Sequence, residues 1–101
     1  MSLISPKSLK TKIDNNANFQ LIDVREDYEF ENFNLGGINI PLSQVFSSLD
    51  KIDTTKEIIF CCNSGMKSKA ILHTIKRKLN IDDVFSLDGG LEAYAAEIID
   101  N

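Results

Sequence analysis

The run Glu57-Ile58-Ile59-Phe60-Cys61-Cys62-Asn63-Ser64-Gly65-Met66-Lys67-Ser68 changes character at its midpoint. Its first six residues are mostly apolar and partly β-branched, the composition of a strand buried on both faces. Asn63-Ser64-Gly65 then reads as a turn. From there a basic helix is predicted to run to about Asn80, with Ala70, Ile71, Ile75 and Leu79 as its apolar stripe. A buried strand, a tight turn and a helix in that order make half of a crossover unit.

The same alternation extends outward in both directions. Upstream, Ser5-Pro6 suits the cap and first position of a helix that ends at Asn15-Asn16. Phe19 to Val24 reads as a second buried strand, Asp27 to Phe33 as a short helix, and Ile38-Asn39-Ile40 as a brief strand stopped by Pro41. Ser43 to Leu49 is expected to be a short helical stretch, followed by a polar connection from Lys51 to Lys56. Downstream, Val84 to Leu87 forms a last strand, Asp88-Gly89-Gly90 a turn, and Leu91 to Ile99 a closing helix. Strands alternating with helices imply right-handed crossovers and a parallel sheet covered on both faces. One α/β domain over residues 1–101 is expected, since neither repeat, linker nor low-complexity segment interrupts the pattern.

Bulk properties narrow the function. A hydrophobic fraction of 43% suits a folded core, and the net charge of −4 argues against a general nucleic-acid binder. No apolar run approaches the roughly 18 residues of a membrane span. The start of the chain lacks a basic region followed by an apolar stretch, so a cytoplasmic location is expected. The cationic residues Lys67, Lys69, Lys76, Arg77 and Lys78 are concentrated just after the cysteines. For the last three, a solvated helix face explains the cluster.

Cys61 and Cys62 are the chain's two cysteines. Adjacent Cα atoms lie about 3.8 Å apart, shorter than the roughly 4.4–6.8 Å that a disulfide spans. A structural zinc site needs four ligands at workable spacings, and the chain has a single histidine, so no metal is expected. Two free thiols remain, to pack or to react. In a parallel sheet, sites form beyond the carboxyl ends of the strands, where Cys62 stands. The following helix start presents unpaired N–H groups and partial positive charge, and Gly65 lets the backbone curl so that amides point at the sulfur. His73 lies eleven positions on, some two turns into the helix, out of reach as a general base. Activation of Cys62 is therefore expected from backbone amides, the helix dipole and Lys67.

At this point the residues resemble a known family. Ile58 to Ser68 is similar to the active-site segment of rhodaneses, an apolar strand followed by Cys-x-x-Gly-x-Arg-Ser/Thr at a helix start. Leu21-Ile22-Asp23-Val24-Arg25, Tyr28-Glu29-Phe30 and Gly36-Gly37-Ile38-Asn39-Ile40-Pro41-Leu42 resemble the family's upstream block. Val84 to Gly90 with Tyr94 resembles its ending. The resemblance implies a parallel sheet of about five strands flanked by helices. It also implies a sulfurtransferase in which Cys62 carries sulfane sulfur as a persulfide, without a further cofactor. A small anionic donor such as thiosulfate, or another persulfide, would load Cys62, and a thiol, cyanide or a protein acceptor would take the sulfur. The loop Asn63, Ser64, Gly65, Met66, Lys67 and Ser68 would hold the persulfide, with Lys67 and Lys69 attracting the donor. Asp23 and Arg25 are expected to shape the site or to hold its neighbouring loops.

The sequence departs from the family at three places. Lys67 stands where an arginine is usual, keeping the charge and losing the bidentate fork. Phe33-Asn34-Leu35 replaces the common His-Ile-Pro, and Tyr94 a tryptophan. Two other readings stay open on the residues alone. Counting from Cys61 gives the longer loop of a phosphatase or arsenate reductase of this fold, though Lys67 would grip an oxyanion poorly; packing is the simpler role for Cys61. A non-catalytic interaction or regulatory module is the other.

Overall fold

A computed structural model describes residues 2–100. Five strands and their crossovers account for its architecture: β1 (Leu3–Ile4), β2 (Phe19–Asp23), β3 (Ile38–Asn39), β4 (Glu57–Cys61) and β5 (Val84–Leu87). They form one sheet in the order β1-β5-β4-β2-β3, with every pairing parallel. β4 is central and pairs with β2 over its whole length, Asp23 opposite Cys61. The helices are α1 (Pro6–Asp14), α2 (Asp27–Asn32), α3 (Met66–Leu79) and α4 (Gly90–Tyr94).

Strand alternation sends successive side chains to opposite faces and so divides the core. Ile58, Phe60 and Cys62 join Ile22, Val24, Val84 and the α3 residues Ile71, Leu72 and Ile75 on one face. Ile59 and Cys61 join Leu9, Leu21, Leu87, Leu91 and Tyr94 on the other. Helices thus cover both faces, as the alternating pattern requires. Ser5 caps α1 by accepting the Ser8 N–H at 3.1 Å, and Pro6 occupies the first turn.

One strand is added and three local expectations are corrected. β1 carries no sequence signal of its own; it forms because the edge of β5 offers unpaired backbone groups, with Ser86 N–H donating to Ser2 O and Asp88 N–H to Ile4 O. Ala70 is exposed, and Leu72 takes the buried position on α3. The stretch from Ser43 is a pair of 3-10 turns, Leu42–Ser47 and Leu49–Lys51. The closing helix changes to a π turn over Ala95–Ile99.

A cysteine loop held from below

β4 ends at Cys61, and α3 begins at Met66, so Cys62 to Gly65 make the whole connection. Such a short link forces the chain to fold back over the sheet edge, and Gly65 makes this possible with φ of +92°. In that conformation Gly65 N–H donates to Cys62 Sγ at 3.2 Å and Ser68 N–H reaches the same sulfur at 3.5 Å. The Ser68 hydroxyl lies 3.5 Å from it as well. Two backbone N–H groups and one hydroxyl at the start of a 14-residue helix therefore surround one sulfur. Negative charge on that sulfur is stabilised by these donors and by the helix dipole. The Cys62 residue is 2% exposed.

The loop is held from below by the start of α4. Leu91 N–H donates to Cys62 O and Glu92 N–H to Asn63 O, both at 2.9 Å. These bonds tie two of the loop's carbonyls to α4, while Gly65 N–H and Ser68 N–H face the sulfur. Gly90 permits the approach: a Cβ there would stand 2.5 Å from both of those carbonyl oxygens and 2.6 Å from Gly65 N. A third support comes from α2, where Glu29 accepts the Asn63 side-chain amide at 2.8 Å. That bond, then the Glu26 N–H, and more weakly Arg25 and Lys67, hold the Glu29 carboxyl below the usual carboxylate range.

Asp23 and Arg25 form a buried ion pair just beyond β2, with nitrogen–oxygen distances of 2.8–3.2 Å. Burial opposes the Arg25 charge, but the Asp23 bonds outweigh it and the guanidinium pKa is raised. Arg25 also donates to Phe33 O at 2.6 Å, and Asn39 donates to the carbonyls of Asp23 and Arg25. The pair therefore locks the segment after α2 onto β2, and Arg25 lines a depression of about 490 Å³ with Tyr28, Glu29, Asn32 and Asn63. Lys67 and Lys69 are exposed on the first turns of α3. Lys69 edges a depression with Ser64, Gly65, Met66 and Asp88, whereas Lys67 lies towards Glu29. Met66 projects beside the loop, 77% exposed. His73 is exposed further along α3 and lines a groove with Leu3, Lys69, Leu72 and Lys76.

Cys61 occupies a different environment. It is 1% exposed and packs in the apolar cluster under α1 and α4. Burial, followed by the nearby Asp23 carboxylate, pushes its thiol pKa well up. A buried cysteine whose neutral form is favoured suits packing. Among the described residues no cluster of His, Cys, Asp and Glu could hold a metal ion, and no helix is long and apolar enough to cross a membrane.

Sequence reasoning missed one residue of this neighbourhood, Ser86. Its hydroxyl lies 2.6 Å from that of Ser68, and both residues are fully buried. A lone polar position in the apolar strand Val84-Phe85-Ser86-Leu87 was the available signal.

Comparison with known proteins agrees with the fold and gives the family. The family model described as "Rhodanese-like domain" matches residues 5–97. "Uncharacterized protein YqhL" of Bacillus subtilis is 38% identical over 80 residues, covering 78% of this chain and 63% of its own. "Putative sulfurtransferase YtwF" of the same organism is 32% identical over 95 residues, 93% of this chain and 90% of its own. The chain thus spans somewhat under two thirds of YqhL's length and most of YtwF's. Among solved structures, a rhodanese-related protein from Thermoplasma volcanium superposes with a TM-score of 0.83 at 22% identity, covering 97% of this chain and 94% of that one. At that identity it speaks for the fold alone.

Proposed function

The chain belongs to the rhodanese-like domain family, and on that premise we propose that it is a sulfurtransferase whose Cys62 carries sulfane sulfur as a persulfide. The observation that carries this reading is the set of polar groups around Cys62 Sγ: the donors Gly65 N–H and Ser68 N–H, with the Ser68 hydroxyl 3.5 Å away. A sulfur so surrounded is suited to negative charge as the attacking and leaving thiolate; in the persulfide that charge moves to the terminal sulfur. Cys62 needs no general base, and no histidine hydrogen-bonds it among the described residues.

With thiosulfate as donor, the Cys62 thiolate attacks the outer sulfur. A new S–S bond forms, the donor's S–S bond breaks, and sulfite leaves with the electron pair. An acceptor thiolate then attacks the terminal sulfur and departs as a persulfide, which restores the Cys62 thiolate. Cyanide in place of the thiol leaves as thiocyanate. No electrons are gained or lost overall, so no redox cofactor is required. Lys67 is the second residue of α3, where helix amides lack an intrahelical acceptor, so on this reading its N–H meets the terminal sulfur. Exposed Lys67 and Lys69 raise the local concentration of an anionic donor, an effect that salt weakens. Narrow access to a 2%-exposed cysteine favours a small or extended donor over a bulky one.

Intact mass after incubation with thiosulfate tests the reading. A gain of one sulfur is expected in the unmodified chain and in Cys61→Ala, and none in Cys62→Ser. If no sulfane donor loads the folded protein, the transferase reading fails and a binding module becomes the better account. Phosphate release from an aryl phosphate would instead restore the Cys61 alternative.

A further inference from the structure

We infer that Ser86 is a positioning residue for the Cys62 sulfur, acting through Ser68, an inference that rests on the sulfur-carrying role of Cys62. Both hydroxyls are fully buried on the α3 side of the sheet, 2.6 Å apart. Ser68 has three neighbours: Ser86 Oγ, Gly65 O at 3.3 Å and Cys62 Sγ at 3.5 Å. Ser86 Oγ has a single hydrogen-bond partner among the described residues, Ser68 Oγ.

This asymmetry sets the direction. If Ser68 donated to Ser86, the Ser86 proton would be buried without an acceptor, which costs the full desolvation of that group. Ser86 therefore donates to Ser68, and the Ser68 proton is free to go elsewhere. While Cys62 is a thiol, its S–H can point at Ser68 Oγ, and Ser68 donates to Gly65 O. Once the sulfur is anionic it can only accept, and the Ser68 proton turns to it. Ser86 thus keeps Ser68 a donor to the sulfur in the charged state, and a hydrogen bond already received by Ser68 polarises the one it gives.

The test is a double-mutant cycle on the alkylation rate of Cys62 by iodoacetamide at neutral pH, in a Cys61→Ala background with peptide mapping. Ser86→Ala is expected to slow alkylation about five- to tenfold, the loss of one hydrogen bond to a charged acceptor acting indirectly. Ser68→Ala should slow it at least as much. The double variant should be no slower than Ser68→Ala, because Ser86 acts through Ser68. In sulfur loading, Ser86→Ala should lower the maximal rate and leave the half-saturating thiosulfate concentration unchanged, since Ser86 does not touch the donor. Ser86→Thr keeps the hydroxyl and should stay within about threefold of the parent; it also serves if Ser86→Ala does not fold.

Ser86→Ala alkylating at the parent rate, effects that multiply in the double variant, or Ser86→Thr as slow as a Ser68→Ala chain would each overturn the inference. Its failure can be told from that of the transferase reading. Iodoacetamide needs only a nucleophilic Cys62, so a chain that takes up no sulfur still reports the cycle, while normal loading with a flat cycle removes Ser86 alone.

Discussion

Cys61 packs against Leu9, Leu91 and Tyr94 on one face of β4, whereas Cys62, one residue further on, turns to the other face and receives the N–H groups of Gly65 and Ser68. The two side chains are chemically identical and share a peptide bond. What separates them is strand parity: one residue of advance reverses the face. On the first face the thiol is buried among aliphatic and aromatic side chains with the Asp23–Arg25 pair nearby, and burial favours its neutral form. On the second it meets a helix start and a glycine-bent loop, and its charged form finds donors. The difference between the two environments is thus a property of position in the sheet, since the two side chains are identical.

The largest effect on that contrast is expected from Gly90→Ala, which attacks the loop and leaves Cys61 alone. A methyl group there would meet two loop carbonyls at 2.5 Å and would sit on a backbone with φ of +65°. Stability should fall by about 2–3 kcal/mol in urea unfolding, and loading of Cys62 should fall at least about tenfold as its donors lose alignment.

Cys61→Ser tests the other half. Serine there replaces an apolar thiol by a hydroxyl in a buried, mostly apolar cluster, so a loss of about 1–3 kcal/mol is expected. Loading at Cys62 should nevertheless stay within about twofold, since the loop bonds do not involve Cys61. A folded Cys61→Ser that fails to load would show that the two faces are not independent.

A smaller effect follows from pH. The Cys61 thiol pKa is raised in the folded state by burial and by Asp23. In the unfolded chain it ionises near the ordinary value of about 8.5. The folded state therefore binds more protons above that value, so the Cys61 contribution is intact below it and is lost as pH rises. Alkaline stability should decline by about 1 kcal/mol over the unit above pH 8.5, and Cys61→Ala should remove that part of the slope. Under the same conditions iodoacetamide should label Cys62 and spare Cys61 until the chain unfolds.

The smallest change is expected from Glu29→Gln, which weakens a partly exposed tether to Asn63. Loading should fall about twofold with no measurable shift in Tm. In the parent chain the tether is present above the ordinary Glu value of about 4.3. It is lost only as pH falls through the lowered value of the folded state.

Much of this was open to inspection in the chain itself. The alternation of apolar strand and amphipathic helix predicted a parallel α/β sheet, because burial on both faces and helical period each leave a local mark. Cys61-Cys62 excluded a bridge by covalent reach alone, and Gly65 before a basic helix placed a sulfur cradle at the end of the central strand. Other features needed the tertiary structure. β1 has two residues and exists only because β5 presents a free edge. Ser86 faces Ser68 across 18 positions, and Gly90 admits the loop by what it lacks. The face assigned to each cysteine depends on which helices pack where. Local periodicity is written into neighbouring residues, whereas the fit between distant backbones is decided only when the core closes over both.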